Sequence, residues 1–194
     1  MLGLGVGLTT SAPSAAGDGS YASQTLFERD ENWAAADIDA VSGVAFAGCD
    51  LSIGTADVGG ITNYVIMTKT GGGSFDPQIF IGSTRTALFS TDPQDIYEAG
   101  SGKFKFTGKA YIPSSNTSTG SNVIGRCNAV NNSSSATEDQ WLTVSAERLV
   151  SEITNPPDND TDFFEIEFND GTTDEPSDGD VMYVAQFKCE FIAD

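Results

Sequence analysis

The stretch that decides the fold is Asp178–Ile192, DGDVMYVAQFKCEFI. Gly179 marks a turn, and an alternating run begins at Val181. Val181, Tyr183, Ala185, Phe187, Cys189 and Phe191 share one face, and Met182, Val184, Gln186, Lys188 and Glu190 share the other. A period of two is the signature of a strand with one buried face, and the first set is the predicted inward one. Such a strand needs partners. Gln140–Val150 and Phe163–Phe168 are the stretches expected to pair with it.

Working outward, Lys103–Ile112 (KFKFTGKAYI) alternates most cleanly. Phe104, Phe106, Ala110 and Ile112 are predicted inward, and Lys103, Lys105, Lys109 and Tyr111 outward. Three of the five lysines lie on that outward face. They read either as cross-strand partners of Glu165 and Glu167 or as a basic contact patch. In Gln140–Val150, Trp141, Thr143 and Ser145 oppose Leu142, Val144 and Ala146, and the pattern alone leaves open which set is buried. Val44–Ile53, Ile61–Thr68, Gln78–Gly82, Thr86–Ser90 and Asn122–Val130 read as further strands. Ser114–Ser121 and Asn131–Thr137 read as polar loops, and Asn155–Asp162 as an acidic turn. Glu147–Ser151 could form a helical turn, but no 3.6-period run is long enough for a helix. The predicted core is Phe104, Phe106, Trp141, Leu142, Phe164, Ile166, Phe168, Tyr183, Phe187 and Phe191. Many short strands with turn signals predict an all-β fold, an antiparallel β-sandwich or jelly roll, over residues 21–194.

Charge narrows the partners. Nine Lys and Arg stand against 28 Asp and Glu, a net charge of −19, which repels nucleic acid and anionic membrane. No stretch approaches the ~20 apolar residues of a membrane-spanning helix. The absence of histidine removes the commonest general base and metal ligand. Cys49, Cys127 and Cys189 are isolated, which argues against a disulfide framework or a zinc site and for synthesis in a reducing cytoplasm.

Three constellations were candidates for chemistry. Asp158, Asp160 and Asp162 are spaced like the opening of a calcium loop. An EF-hand, however, needs Gly at position six and Glu at position twelve, where this chain has Phe163 and Asn169. Calcium held in another geometry and a solvated acidic turn are the readings left. Glu165 and Glu167 share a strand face about 6.5–7 Å apart, a spacing found in inverting glycosidases. Neighbours on one strand do not flank a substrate from opposite sides, so no enzyme is expected. Trp33, Trp141, Tyr64, Tyr97 and Tyr111 are the aromatics that could stack on a sugar or simply pack a core.

The N-terminus, MLGLGVGLTTSAPSAAG, alternates Leu2, Leu4, Val6 and Leu8 with glycine. No basic residue precedes Arg29 and glycine interrupts every step, unlike a secretory signal. Residues 1–20 are expected to form an extended arm that lies on another subunit.

The GKFKFTGKAYIPSS, DQWLTVSAE, FFEIEFND and GDVMYVAQFKCEF segments together resemble the jelly-roll carbohydrate-binding-module families with a galactose-binding-like fold. In those families an acidic position in the last strand helps hold a structural calcium; here that position is Ala185. Such domains recur in virion proteins of tailed bacteriophages. The glycine-spaced start and the acidic surface resemble small proteins of phage structural clusters. The resemblance implies a virion protein, a capsid decoration or cement protein made in the host cytoplasm. Its partners would be other virion subunits, with homo-oligomers or symmetric assembly expected. The alternative it implies is a carbohydrate-binding module or a tail or fibre accessory protein that recognises host glycans.

Overall fold

The computed structural model describes residues 21–29, 33–34, 49–70, 77–81, 88–118, 122–128, 130–160, 163–168 and 176–194. Ten strands are described: β1 (Gln24–Arg29), β2 (Cys49–Gly54), β3 (Tyr64–Lys69), β4 (Gln78–Ile81), β5 (Lys103–Tyr111), β6 (Asn122–Cys127), β7 (Val130–Ser135), β8 (Trp141–Leu149), β9 (Phe164–Phe168) and β10 (Val181–Ile192). They form two antiparallel sheets. The larger runs β2-β3-β10-β5-β8, with β1 also paired to β10; the smaller runs β4-β9-β6-β7. The chain is an all-β sandwich, as its alternation predicts. The predicted arm, with Leu2, Leu4, Val6 and Leu8, lies outside the described residues.

The core fills the gap between the sheets. Phe104 and Phe106 of β5, Phe164, Ile166 and Phe168 of β9, and Phe187 and Phe191 of β10 are all buried there. Phe106 and Phe187 pack with ring centroids 4.7 Å apart, and Phe104 meets Phe163 edge to face at 5.1 Å. Glycine makes room for this. A Cβ on Gly108 would fall 2.9 Å from the Phe106 ring. From the facing sheet, a Cβ on Gly125 would come within 3.5 Å of the same ring.

The predicted inward face of β10 is half right. Phe187, Cys189 and Phe191 point into the core, but so do Met182 and Val184. Between Ala185 and Lys188 the register against β5 slips, so that Ala185 opposes Lys109 and Lys188 opposes Thr107. That is a β-bulge, one extra residue, with Gln186 in the left-handed region at φ 50°. The extra residue inverts the phase, so Val181, Tyr183 and Ala185 face outward. Trp141 also faces outward, because Val144 and Ala146 are the buried positions of β8. Leu142 packs partly buried against the core.

The predicted pairings also change. β10 pairs with β1, β3 and β5, whereas β8 pairs with β5 and β9 belongs to the other sheet. A long central strand saturates both its edges, and alternation carries no information about which strands do so. Glu165 and Glu167 therefore cannot meet the β5 lysines. Glu165 is fully buried, 2.9 Å from Arg126. The lysines find other acids: Lys103 lies 3.0 Å from Glu147, and Lys105 stands across the strands from Glu147 and Glu190.

Three local readings are corrected. Asn122–Val130 is not one strand, because Asn128 turns the chain at φ 45° and β7 starts at Val130. The turn is anchored: Asn128 donates from Nδ2 to Asn155 O and Asp160 Oδ2, both at 2.8 Å. β7, VNNSSS, was predicted to be loop. Pairing with β6 along its whole length holds it as a strand, with Asn131 and Ser135 bonding to Arg126 and Asn122. A helix, α1 (Pro93–Ala99), was missed. Its boundary signals are present: Asp92 caps Gln94 N at 2.9 Å, Pro93 opens the first turn, and Gly100 ends it at φ 84°. Seven residues are too few for a period to show. Leu88–Ser90 is not strand, and residues 44–48 and 86–87 lie outside the described residues.

The loop before β6 is tied to the start of β10. Asn116 bonds both ways with the Val181 backbone, at 2.8 and 2.9 Å. The buried Asp180 carboxylate accepts from the amides of Thr117, Ser118 and Ser177 at 2.6, 3.1 and 2.9 Å. Burial alone would raise the Asp180 pKa; these donors outweigh it and hold the carboxyl below its usual value.

Phe104→Ala and Phe187→Ala are each expected to cost roughly 3–5 kcal/mol, measured by denaturant unfolding; unchanged midpoints would refute the core assignment. Asp180→Asn is expected to cost about 1–3 kcal/mol at neutral pH, because an amide nitrogen cannot accept from the loop amides. A lowered folded pKa contributes stability above the unfolded value near ~3.9 and loses it as pH falls through the folded value. The gap between wild type and Asp180→Asn should therefore close on acidification below about pH 4.

Candidate functional site

The bulge in β10 creates the site. Turning Tyr183 outward sets it directly across from Tyr111 of β5. The two rings are parallel to within 6°, with centroids 5.5 Å apart. Trp141 stands beside Tyr111 on the next strand, 5.3 Å away. Tyr64, at the start of β3, closes the group 4.8 Å from Tyr183 and 6.0 Å from Trp141. Tyr111, Trp141 and Tyr183 are half-buried, and Tyr64 is buried. Tyr64, Trp141 and Tyr183 form a second apolar cluster with Ile61 and Ala185, on the opposite side of the large sheet from the core, and Tyr111 borders it.

Two glycines set its geometry. Tyr64 lies over Gly54, its cross-strand partner, and a Cβ there would fall 2.1 Å from the ring. Trp141 packs against Gly59, at φ 54°, and its indole nitrogen donates to Val58 O at 2.7 Å. The Val58–Ile61 turn, closed by two backbone bonds, thereby becomes a wall that fixes the indole. Part of the cluster is thus structural, seating this turn; the half-buried faces of Tyr111, Trp141 and Tyr183 remain open.

Polar groups edge the aromatics. The Tyr111 hydroxyl donates to Asp139 Oδ1 at 3.3 Å, and the same oxygen accepts from Ser114 N at 3.0 Å. The Ser114 donors and the Tyr111 hydroxyl lower the Asp139 pKa. Burial, then the Asp139 charge, raises that of Tyr111; burial, then Tyr183, raises that of Tyr64. Lys109 lies two residues from Tyr111 on the same face, opposite Ala185 and Thr143. Among the described residues it makes no ion pair.

Of the five aromatics singled out from the sequence, the fold gathers Tyr64, Tyr111 and Trp141. Trp33 is buried against Phe187, and Tyr97 packs from α1 against the main core. Tyr183 was missed because the uninterrupted alternation placed it inside. Lys103, Lys105, Lys109 and Tyr111 share the outward face as expected. Asp160 is buried and accepts from Asn128, Asp158 is exposed, and Asp162 lies outside the described residues. Among the described residues no three His, Cys, Asp or Glu side chains gather as metal ligands. The three thiols are free; burial raises the Cys49 pKa to about 11 and those of Cys127 and Cys189 as well.

No family model matches the sequence, and no curated protein matches it. Solved structures do. The chain is similar to the CBM22-1 xylan-binding domain from Paenibacillus barcinonensis Xyn10C, at 7% identity and a TM-score of 0.46 over 91% of this chain and 99% of that one. It is similar to the C-terminal family 22 carbohydrate binding module of Clostridium thermocellum Xyn10B, at 8% identity and 0.44 over 92% and 96%. A family 29 carbohydrate binding module aligns at 14% identity and 0.37 over 87% and 90%.

The ionisation of Tyr111 tests the electrostatics of the site. Asp139→Asn should lower the Tyr111 pKa, read by ultraviolet phenolate titration. Because the folded values of Tyr64 and Tyr111 are raised, their contribution to stability holds below the unfolded pKa near ~10 and is lost as pH rises through the folded values.

Proposed function

We propose that this protein is a non-catalytic glycan-binding module whose ligand lies on the Tyr64, Tyr111, Trp141 and Tyr183 face. The observation that carries the reading is the stacked Tyr111–Tyr183 pair beside a fixed, half-buried indole. Sugar rings present C–H faces that pack on aromatic rings, and their hydroxyls need donors and acceptors at the rim. Asp139, Lys109 and Thr143 supply these around the cluster. Two features support a binding role without catalysis. The chain has no histidine, and Glu165 of the sequence pair is buried beside Arg126 rather than open to a ligand.

A second reading rests on one separate observation, the glycine-spaced apolar ribbon of Leu2, Leu4, Val6 and Leu8. Four such side chains cannot bury one another along an extended ribbon, and burial on a neighbour would contribute roughly 6–8 kcal/mol before the cost of ordering three glycines. This favours an arm, residues 1–20, that lies on a neighbouring subunit; joined to the resemblance to phage structural proteins, it gives the reading of a virion subunit that decorates the capsid or tail. The two readings are compatible.

Trp141→Ala and Tyr183→Ala should each weaken binding to a soluble polysaccharide by about tenfold or more, near 1.4 kcal/mol, in affinity electrophoresis against a panel of plant and bacterial glycans. Both side chains lie outside the main core, so the variants should remain folded. A panel to which the wild type shows no binding would refute the reading. For the arm, deletion of residues 1–17 should leave the sandwich folded and reduce incorporation into particles; equal incorporation would refute it.

A further inference from the structure

We infer that the notch where β7 meets β8 is a second subsite, which takes a further sugar residue of the same glycan chain by hydrogen bonding. The inference rests on the glycan-binding reading above. The notch is open to solvent and has a volume of about 320 Å3, the lower end of the range of small-molecule sites. Lys105, Asn131, Asn132, Ser145 and Glu147 line it, over an apolar floor of Val130 and Ala146.

Its position ties it to the aromatic cluster. Lys105 shares its face of β5 with Lys109 and Tyr111, and Ser145 and Glu147 share theirs of β8 with Trp141. Lys105, Ser145 and Glu147 of the notch therefore lie on the aromatic side of the large sheet, at the edge where β7 of the smaller sheet meets β8. Ser145 lies four residues along β8 from Trp141, about 13 Å. The surface between them carries Thr143, Thr107 and Lys109, all able to bond hydroxyls. A chain lying along β5 and β8 would reach both places, and a disaccharide would not.

The bonds already made in the notch leave it with a mixed set of partners. Asn131 uses its carbonyl oxygen to accept from Arg126 Nε at 2.8 Å, so its amide nitrogen is not used in that bond. Asn132 does the reverse, donating from Nδ2 to Ser145 O at 2.7 Å and keeping its carbonyl oxygen. Both oxygens of Glu147 accept from Lys103, at 3.1 and 3.0 Å, and each has further lone-pair capacity. Lys105 adds an ammonium donor. Donors and acceptors side by side suit neighbouring sugar hydroxyls, each of which gives one hydrogen and accepts others. They do not suit an anion, which would face Glu147, or an apolar ligand, which would strand these groups.

The test compares chain lengths. The probes are disaccharides and hexasaccharides of the xylan and cellulose series, with binding measured by calorimetry. The proteins are wild type, Lys105→Ala and Ser145→Phe, the last filling the notch from an outward position. The wild type should bind the hexasaccharide at least about tenfold more tightly than the disaccharide. Both variants should lose that advantage and keep disaccharide binding. Variants that retain the full hexasaccharide affinity, or a wild type that binds both lengths equally, would overturn the subsite and leave the aromatic site standing. Equal loss at both lengths would also overturn it, since the notch would then not act separately. A wild type that binds neither length in either series would overturn the subsite, while the glycan reading itself stands or falls with the panel of plant and bacterial glycans above.

Discussion

Gln186 holds a backbone conformation that costs an L-residue about 1–2 kcal/mol, and the sandwich tolerates it because so much depends on the shift it produces. β10 is the central strand of the large sheet, with β3 and β1 sharing one edge and β5 the other. A one-residue change of phase moves every side chain to the opposite face. Before the bulge, Met182 and Val184 pack inward; after it, Phe187, Cys189 and Phe191 do. The core gains a continuous apolar lining, and Tyr183 is released to the far side. Core and candidate site thus meet in one strand, and the same extra residue serves both.

Much of the sandwich was legible in the residues. Alternation in Lys103–Ile112 placed Phe104, Phe106 and Ala110, and opposite them Lys103, Lys105, Lys109 and Tyr111, on their true faces, since nothing interrupts that strand. The same rule failed in β10 because a bulge has no composition of its own: AQFK contains neither glycine nor proline, and the left-handed residue is a glutamine. Pairing was illegible for a different reason. Period shows which side of a strand is wet but not which strands lie beside it, so Glu165 and Glu167 were matched to lysines of the wrong sheet. The candidate site was visible in pieces. Tyr64, Tyr111 and Trp141 stood out as aromatics on strands, but their convergence depends on β3, β10, β5 and β8 lying side by side.

Polar segments carry more order than their composition suggests. Asn128, Asn116 and Asp180 each use side-chain groups as substitutes for missing backbone partners, tying a hairpin turn to the Asn155–Asp160 segment and a loop to the start of β10. β7 shows the same economy, since a run of asparagine and serine becomes a strand once a neighbour supplies the ladder. Read without its neighbours, such a run is indistinguishable from a linker.

The distribution of lysine gives the molecule an electrical polarity. Lys103, Lys105, Lys109 and Lys188 all lie on the outward side of β5 and β10, where they face Glu147 of the edge strand β8, Glu190 of β10 and Glu28 of β1. The chain as a whole carries −19. Among the described residues, this side of β5 and β10 thus sets four lysines against Glu28, Glu147 and Glu190. At physiological salt the field fades within about 8 Å, so it acts only at close range. An acidic surface would push the molecule away in most orientations and tolerate it in the one where the tyrosines and the tryptophan lead.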